Sequence, residues 1–136
     1  MTTIFSRIIA GEIPGTFVHR DDECVVFLSI NPLSDGHLLV VPIEEHDHWI
    51  DMPADLSRHL FDVARRMGRA LSVAFPCERI GLVIAGYEVN HCHIHVVPTH
   101  SMHDLNFANA AASVDRAELE GNATRIIEAL ATIPRD

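Results

Sequence analysis

The stretch His91-Cys92-His93-Ile94-His95-Val96-Val97-Pro98 sets three histidines at alternate positions. Side chains alternate faces along a strand. The three imidazoles are therefore expected on one face, with Cys92, Ile94 and Val96 turned to the other, toward a core. Alternate residues on one face stand roughly 6.5–7 Å apart, so the row suits a phosphate group or a short phosphate chain. Three roles compete for it. A plain surface strand is one, but three aligned imidazoles repel when protonated and add nothing to a core. A metal site is the second, because neutral imidazole is a common ligand and His95 or His37 would supply the third donor. Residues i and i+4 of one strand lie roughly 13 Å apart, however, too far to share one ion through bonds of about 2 Å. Phosphoryl chemistry is the third. One imidazole nitrogen attacks phosphorus and carries a covalent intermediate, while its neighbours donate to the phosphoryl oxygens.

The flanking sequence reads as short strands around one long helix. Ile80 to Ala85 forms a strand broken at Gly86, and Val89 to Val97 forms the next, closed by Pro98. Upstream, Leu56, Leu60, Val63, Ala64, Met67, Leu71 and Ala74 share one helical stripe, stopped by Pro76. Arg58, Asp62, Arg65, Arg66 and Arg69 lie mostly off that stripe and read as a solvated exterior rather than a phosphate-binding face. Leu38 to Val41, closed by Pro42, is apolar on both faces and suits a central strand of a covered sheet. Thr16 to His19 and Cys24 to Leu28 form two more strands, joined at Asp21-Asp22. Ile4, Phe5, Ile8 and Ile9 mark a short first helix, ended by Gly11 and Pro14-Gly15. Leu119, Ile126, Ile127, Leu130 and Ile133 mark a last helix within Asp115 to Ile133, and Thr99 to Ser113 shows no period. Gaps within the strand pairs are too short for parallel crossovers. The expectation is an α+β fold, an antiparallel sheet with helices on one face. One domain spans 1–136, with its core at 4–98 and a loop and C-terminal helix at 99–136.

The chain has 136 residues, 48% hydrophobic and 21% charged, which suits one globular core and excludes wholesale disorder. A net charge of -9 opposes nucleic acid as a partner. Three cysteines without CxxC spacing speak against a disulfide framework and a four-cysteine zinc site. No charged segment leads into a long apolar run at Met1 and no apolar stretch approaches membrane-spanning length, so a cytoplasmic protein without membrane partners is expected.

The histidine row, taken with what precedes it, resembles the histidine-triad (HIT) family. The resemblance runs from Ile4 to Pro98. It includes Ile4-Phe5-Ser6-Arg7-Ile8-Ile9, Glu12-Ile13-Pro14, Asp21-Asp22 before Val25-Val26-Phe27, Asn31-Pro32, Gly36-His37 and Leu39-Val40-Val41-Pro42. It implies an α+β homodimer that binds a purine nucleotide or nucleotide conjugate and cleaves or transfers at the α-phosphate, with no cofactor and no metal required. It implies that His93 is the nucleophile of a nucleotidyl-histidine intermediate. His91 and His95 would bracket the phosphate, and His37 would be a fourth, upstream histidine of the same site. Phe5, Ile8, Phe27 and Ile30 would line the base and ribose pocket, with Ser29, Asn31, Glu88 and Val89 as further nucleotide contacts.

The chain also departs from the family pattern. Where that pattern has Gly-Gln, then Ser or Thr, then Val, this sequence has Gly86-Tyr87-Glu88-Val89. A carboxylate beside a phosphate subsite repels the ligand unless protonated or paired. Glu88 then faces a cationic leaving group or accepts from a ribose hydroxyl. Ser29 stands where the family often has an acidic residue for the ribose. Two other functions stay open beside the enzyme: a nucleotide-binding or interaction protein with little turnover, and a metal-dependent hydrolase. Of the smaller signals, His46 and His48 around Asp47 read as a solvated loop, Trp49 as a core or interface anchor, and Cys92 as small apolar filling.

Overall fold

The segments Cys24–Leu28 and Leu38–Pro42 are buried at every position, on both faces, and this double burial organises the fold. The computed structural model describes residues 3–135; the remaining residues of the expected 1–136 domain lie outside it. Its main elements are α1 (Ile4–Ile9), β1 (Phe17–Arg20), β2 (Cys24–Leu28), β3 (Leu38–Pro42), α2 (Ala54–Ala74), β4 (Arg79–Val83), β5 (Ile94–Thr99) and α3 (Arg116–Leu130). The five strands form one antiparallel sheet in the order β1-β2-β3-β5-β4. The fold is α+β, as the strand spacing predicts.

Cys24, Val26, Leu28, Leu38, Val40, Ile94 and Val96 point to one face of the sheet. There they meet Leu60, Met67 and Leu71 of α2 and Ile126 of α3. Val25, Phe27, Leu39 and Val41 point to the other face and meet Phe5 and Ile8 of α1. Helices therefore lie on both faces, which corrects the expectation of one. Strands apolar on both sides are stable only when both sides leave water. Six residues of helix cannot stand alone, so α1 depends on burial of Phe5, which contributes about 1.5–3 kcal/mol. Its N-cap Thr3 helps: the Thr3 hydroxyl oxygen accepts from the Ser6 amide at 3.0 Å.

A second correction concerns the histidine row. Strand β5 begins at Ile94, not at Val89. Before it, the Cys92 amide donates to the His46 carbonyl at 2.6 Å. The His93 ring donates to the His91 carbonyl at 2.8 Å. A contact to a distant loop and a local side-chain bond thus stand in place of a sheet ladder there. Gly36 sets the last constraint on the site. Its φ is +90°, and a Cβ at this position would stand 2.7 Å from the Phe75 ring. Only glycine fits such a turn, which places His37 immediately before β3. No helix among the described residues is long and apolar enough to cross a membrane.

Candidate active site

His37, His91, His93 and His95 are all buried, and their hydrogen bonds fix which ring nitrogen carries each proton. The Leu33 amide donates to Nδ1 of His37 at 3.0 Å. The His37 proton must then sit on Nε2, which donates to Nδ1 of His95 at 2.9 Å. His95 is left with its proton on Nε2, a donor. His93 has the opposite arrangement. Its Nδ1–H donates to the His91 carbonyl, so its Nε2 holds a lone pair. The result is one acceptor nitrogen and one donor nitrogen on neighbouring rings, whose centroids lie 4.8 Å apart.

The electrostatics keep these rings neutral. Burial pushes His37 down to about 4, and repulsion between its charged form and His93 adds to the effect. Burial, then His93 and His37, pushes His95 down to about 3. Burial also lowers His93, although its bond to the His91 carbonyl and the nearby Glu88 carboxylate pull the other way.

His91 does something else. Its Nε2–H donates to the Pro42 carbonyl at 2.7 Å, and its Nδ1 accepts from the Thr3 hydroxyl at 2.7 Å. Both ring nitrogens are spent, the residue is fully buried, and it does not line the cavity described next. In the structure His91, expected to bracket a phosphate, therefore has neither ring nitrogen free for one. The ring ties the cap of α1 to the end of β3 and offers its carbonyl to His93. Its neighbour Cys92 is buried, as expected of small apolar filling.

A cavity of about 490 Å³ opens over His93 and His95. Its size suits a nucleotide-sized ligand. The structure brings Phe5, Ile8, Phe27, Ser29, Ile30, Asn31, Glu88 and Val89 to its walls, together with His37. Phe5 stands edge-on to His93 at 4.9 Å and to Phe27 at 5.6 Å. Sequence reasoning missed the far wall, which comes from Phe107, Ala110, Ala111, Ala112, Arg116 and Leu119. Phe107 meets the His95 ring edge-on at 4.8 Å. The Asn31 amide group donates to the carbonyls of Ala111 and Ala112 at 3.1 and 3.0 Å, and the Ala111 amide donates to the Pro32 carbonyl. The one available signal was Phe107 itself, a lone aromatic in a polar segment without period.

The HIT domain profile matches residues 10–102. The chain belongs to the HIT family. An uncharacterised HIT-like protein of Methanocaldococcus jannaschii is 37% identical over 99 residues, which cover 70% of this chain and 77% of that protein. Adenylylsulfatase HINT3 of Arabidopsis thaliana is 29% identical over 100 residues, covering 70% of this chain and 51% of that enzyme. Among solved structures, a zinc-bound histidine triad family protein from Mycobacterium smegmatis superposes with a TM-score of 0.79 at 25% identity, covering 97% of this chain and 95% of that one.

Which residues of this HIT chain could hold a metal ion follows from their donor atoms. The triad fits poorly: of its six ring nitrogens only Nε2 of His93 carries a lone pair free of a protein partner, given the tautomers above. Among the described residues, His19, Asp21 and Cys24 do bring ligand atoms within 4.8 Å of one another. Asp21 is already saturated, however. Its Oδ1 accepts from the amides of Glu23 and Cys24, and its Oδ2 from His19 at 2.7 Å and His59 at 2.8 Å. This knot joins the β1–β2 hairpin to α2, on the sheet face away from α1 and the cavity.

Proposed function

We propose that this HIT protein hydrolyses or transfers the nucleotidyl group of a purine nucleotide conjugate by attack of His93 at the α-phosphorus. The single observation that carries this reading is the fixed tautomer of His93. Its Nδ1–H is held by a backbone carbonyl, which leaves the lone pair on Nε2 of a ring that lines the cavity. A neutral imidazole needs no separate base to attack. The Nε2–H of His95, oriented through His37 by the Leu33 amide, donates to a phosphoryl oxygen as negative charge builds there. The base and ribose lie against Phe5, Ile8, Phe27 and Ile30, with Ser29, Asn31 and Val89 as further contacts. The HIT family includes nucleotide hydrolases and transferases such as adenylylsulfatase, which supports the reaction class.

The direct test is a substrate panel of adenosine phosphoramidates, adenylylated amines, adenylyl sulfate and dinucleoside polyphosphates, run before and after chelation. Turnover of at least one member is expected, unchanged by the chelator. Binding of AMP without turnover of any member would favour a nucleotide-binding protein instead. Loss of turnover together with stoichiometric zinc would favour a metal-dependent hydrolase.

We infer further that the protein is a homodimer. Edge strand β4 leaves Leu82 partly exposed, and Phe61 of α2 stands more than half exposed beside it. An apolar sheet edge of this kind needs a cover. Light scattering at micromolar concentration should give twice the mass of one chain, and a clean single-chain mass would refute the dimer.

A further inference from the structure

Glu88 is the one described residue other than glycine with a positive φ, at +71°. The Val89 amide donates to the Tyr87 carbonyl at 2.8 Å, across Glu88. A three-residue turn with such a φ at its centre is the rare, strained hand of the γ-turn. Side chains other than glycine, asparagine and aspartate seldom accept that conformation. Strain of this kind persists where the surroundings over-determine it, and it clusters at active sites. Here the surroundings are visible. Val89 packs on the cluster of Phe5, Phe27 and Leu39. The turn thereby sets the Glu88 side chain in the wall of the cavity shared with His93 and His95. Glu88 is the only carboxylate among that cavity's described lining residues, and it is exposed, on the side water reaches.

We propose that Glu88 is the general base of the second half-reaction, activating the water that releases the nucleotide from His93. The proposal rests on His93 being the nucleophile. In the covalent intermediate, Nε2 of His93 is bonded to phosphorus and Nδ1 keeps its proton, so the ring carries a positive charge. A water oxygen attacks phosphorus while a Glu88 oxygen takes one of its protons. The P–Nε2 bond breaks and its electron pair returns to Nε2, leaving neutral His93 and a nucleoside monophosphate. Glu88 then loses the proton to solvent. The same carboxylate favours the charged form of the His93 ring, which suits it to the cationic intermediate. The turn holds the Glu88 backbone at the wall of the cavity that His93 also lines, which limits the search for the geometry of attack.

The test uses the p-nitrophenyl ester of AMP as probe, because p-nitrophenolate leaves without help from an acid. In Glu88→Gln the first turnover should remain, as a burst of one p-nitrophenolate per site. Steady-state turnover should fall about 10²-fold or more. Mass spectrometry should find one adenylyl group accumulated on His93. Glu88→Gly removes the carboxylate and relieves the turn, so it should show the same block with a thermal midpoint no lower than the parent protein's. Added formate should restore part of its rate. Full adduct with release within about twofold of the parent protein, or a burst that disappears along with turnover, would overturn this role for Glu88 alone. Absence of any adduct in the parent and the variants would overturn the nucleophile assignment and this proposal with it.

Discussion

Replacing His93 with alanine is expected to remove turnover by roughly four orders of magnitude or more, the scale on which attacking groups are lost. Ground-state affinity for a nucleotide should fall less than about tenfold, because one neutral hydrogen bond contributes only about 0.5–1.5 kcal/mol. The fold should survive. The substitution deletes the donor to the His91 carbonyl and leaves that oxygen short of a partner. Such a loss costs about 1–3 kcal/mol, against about 5–15 kcal/mol for a domain of ordinary stability. His91→Ala should behave in reverse. Its ring bridges the Thr3 hydroxyl and the Pro42 carbonyl, so its removal should lower the melting temperature more than it lowers turnover per folded molecule. Rapid-quench kinetics beside thermal melts separates the two cases. Near-parent turnover by His93→Ala, or a label trapped on another residue, would sink the mechanism.

Where the sequence was legible, a physical period made it so. The stripe from Leu56 to Ala74 foretold α2 to within two residues, because a helix that buries one face must repeat it. The apolar run at Leu38–Val41 foretold a central strand, and its continuity already implied cover on both sides, whereas Cys24–Leu28 was legible only as a strand. Nothing in that run identifies α1 as the second cover. The triad illustrates the opposite limit. Alternation suggested that His91, His93 and His95 share a face and a task. A strand, however, does not begin until Ile94. The division of labour among the rings comes from partners far apart in sequence: Thr3, Leu33, His37 and Pro42. No period encodes such bonds. The wall built from Phe107 to Leu119 was illegible for a related reason. It is held by the Asn31 side chain on two carbonyls, a contact across 80 residues with no local pattern. In sequence Glu88 stands out only as a departure from the family pattern, since a backbone angle of +71° at a glutamate has no sequence mark.

Acid should destabilise this protein well before its carboxylates are titrated. A histidine in the unfolded chain takes up its proton near pH 6.5. In the folded chain His37 resists until about 4 and His95 until about 3, chiefly because burial penalises the charged ring. Between those values the unfolded state binds more protons than the folded state, so stability rises with pH across the window. The full contribution is present above about pH 6.5 and drains away as the pH falls toward 4. Depression of His37 from 6.5 to about 4 corresponds to about 3 kcal/mol. His95 shares a hydrogen bond with it, so the two contributions do not simply add. For a chain of this size, about 3 kcal/mol is a fall of roughly 10 °C in melting temperature. Asp21 does not blur the window. Burial opposes its ionisation, but bonds from His19, the Glu23 and Cys24 amides and His59 outweigh burial and hold it well below the usual carboxylate range. Melts recorded in steps from pH 7.5 to 4 should be level at first and then drop. His37→Gln, which lacks a titrating ring, should start lower and show a shallower drop. A melting temperature that stays level to pH 4, or an unaltered slope in the His37 variant, would contradict neutral, buried rings. Neutral rings are also the condition for attack. Protonation of His93 would remove the Nε2 lone pair, so the burial that makes the fold acid-sensitive is what keeps the nucleophile available at neutral pH.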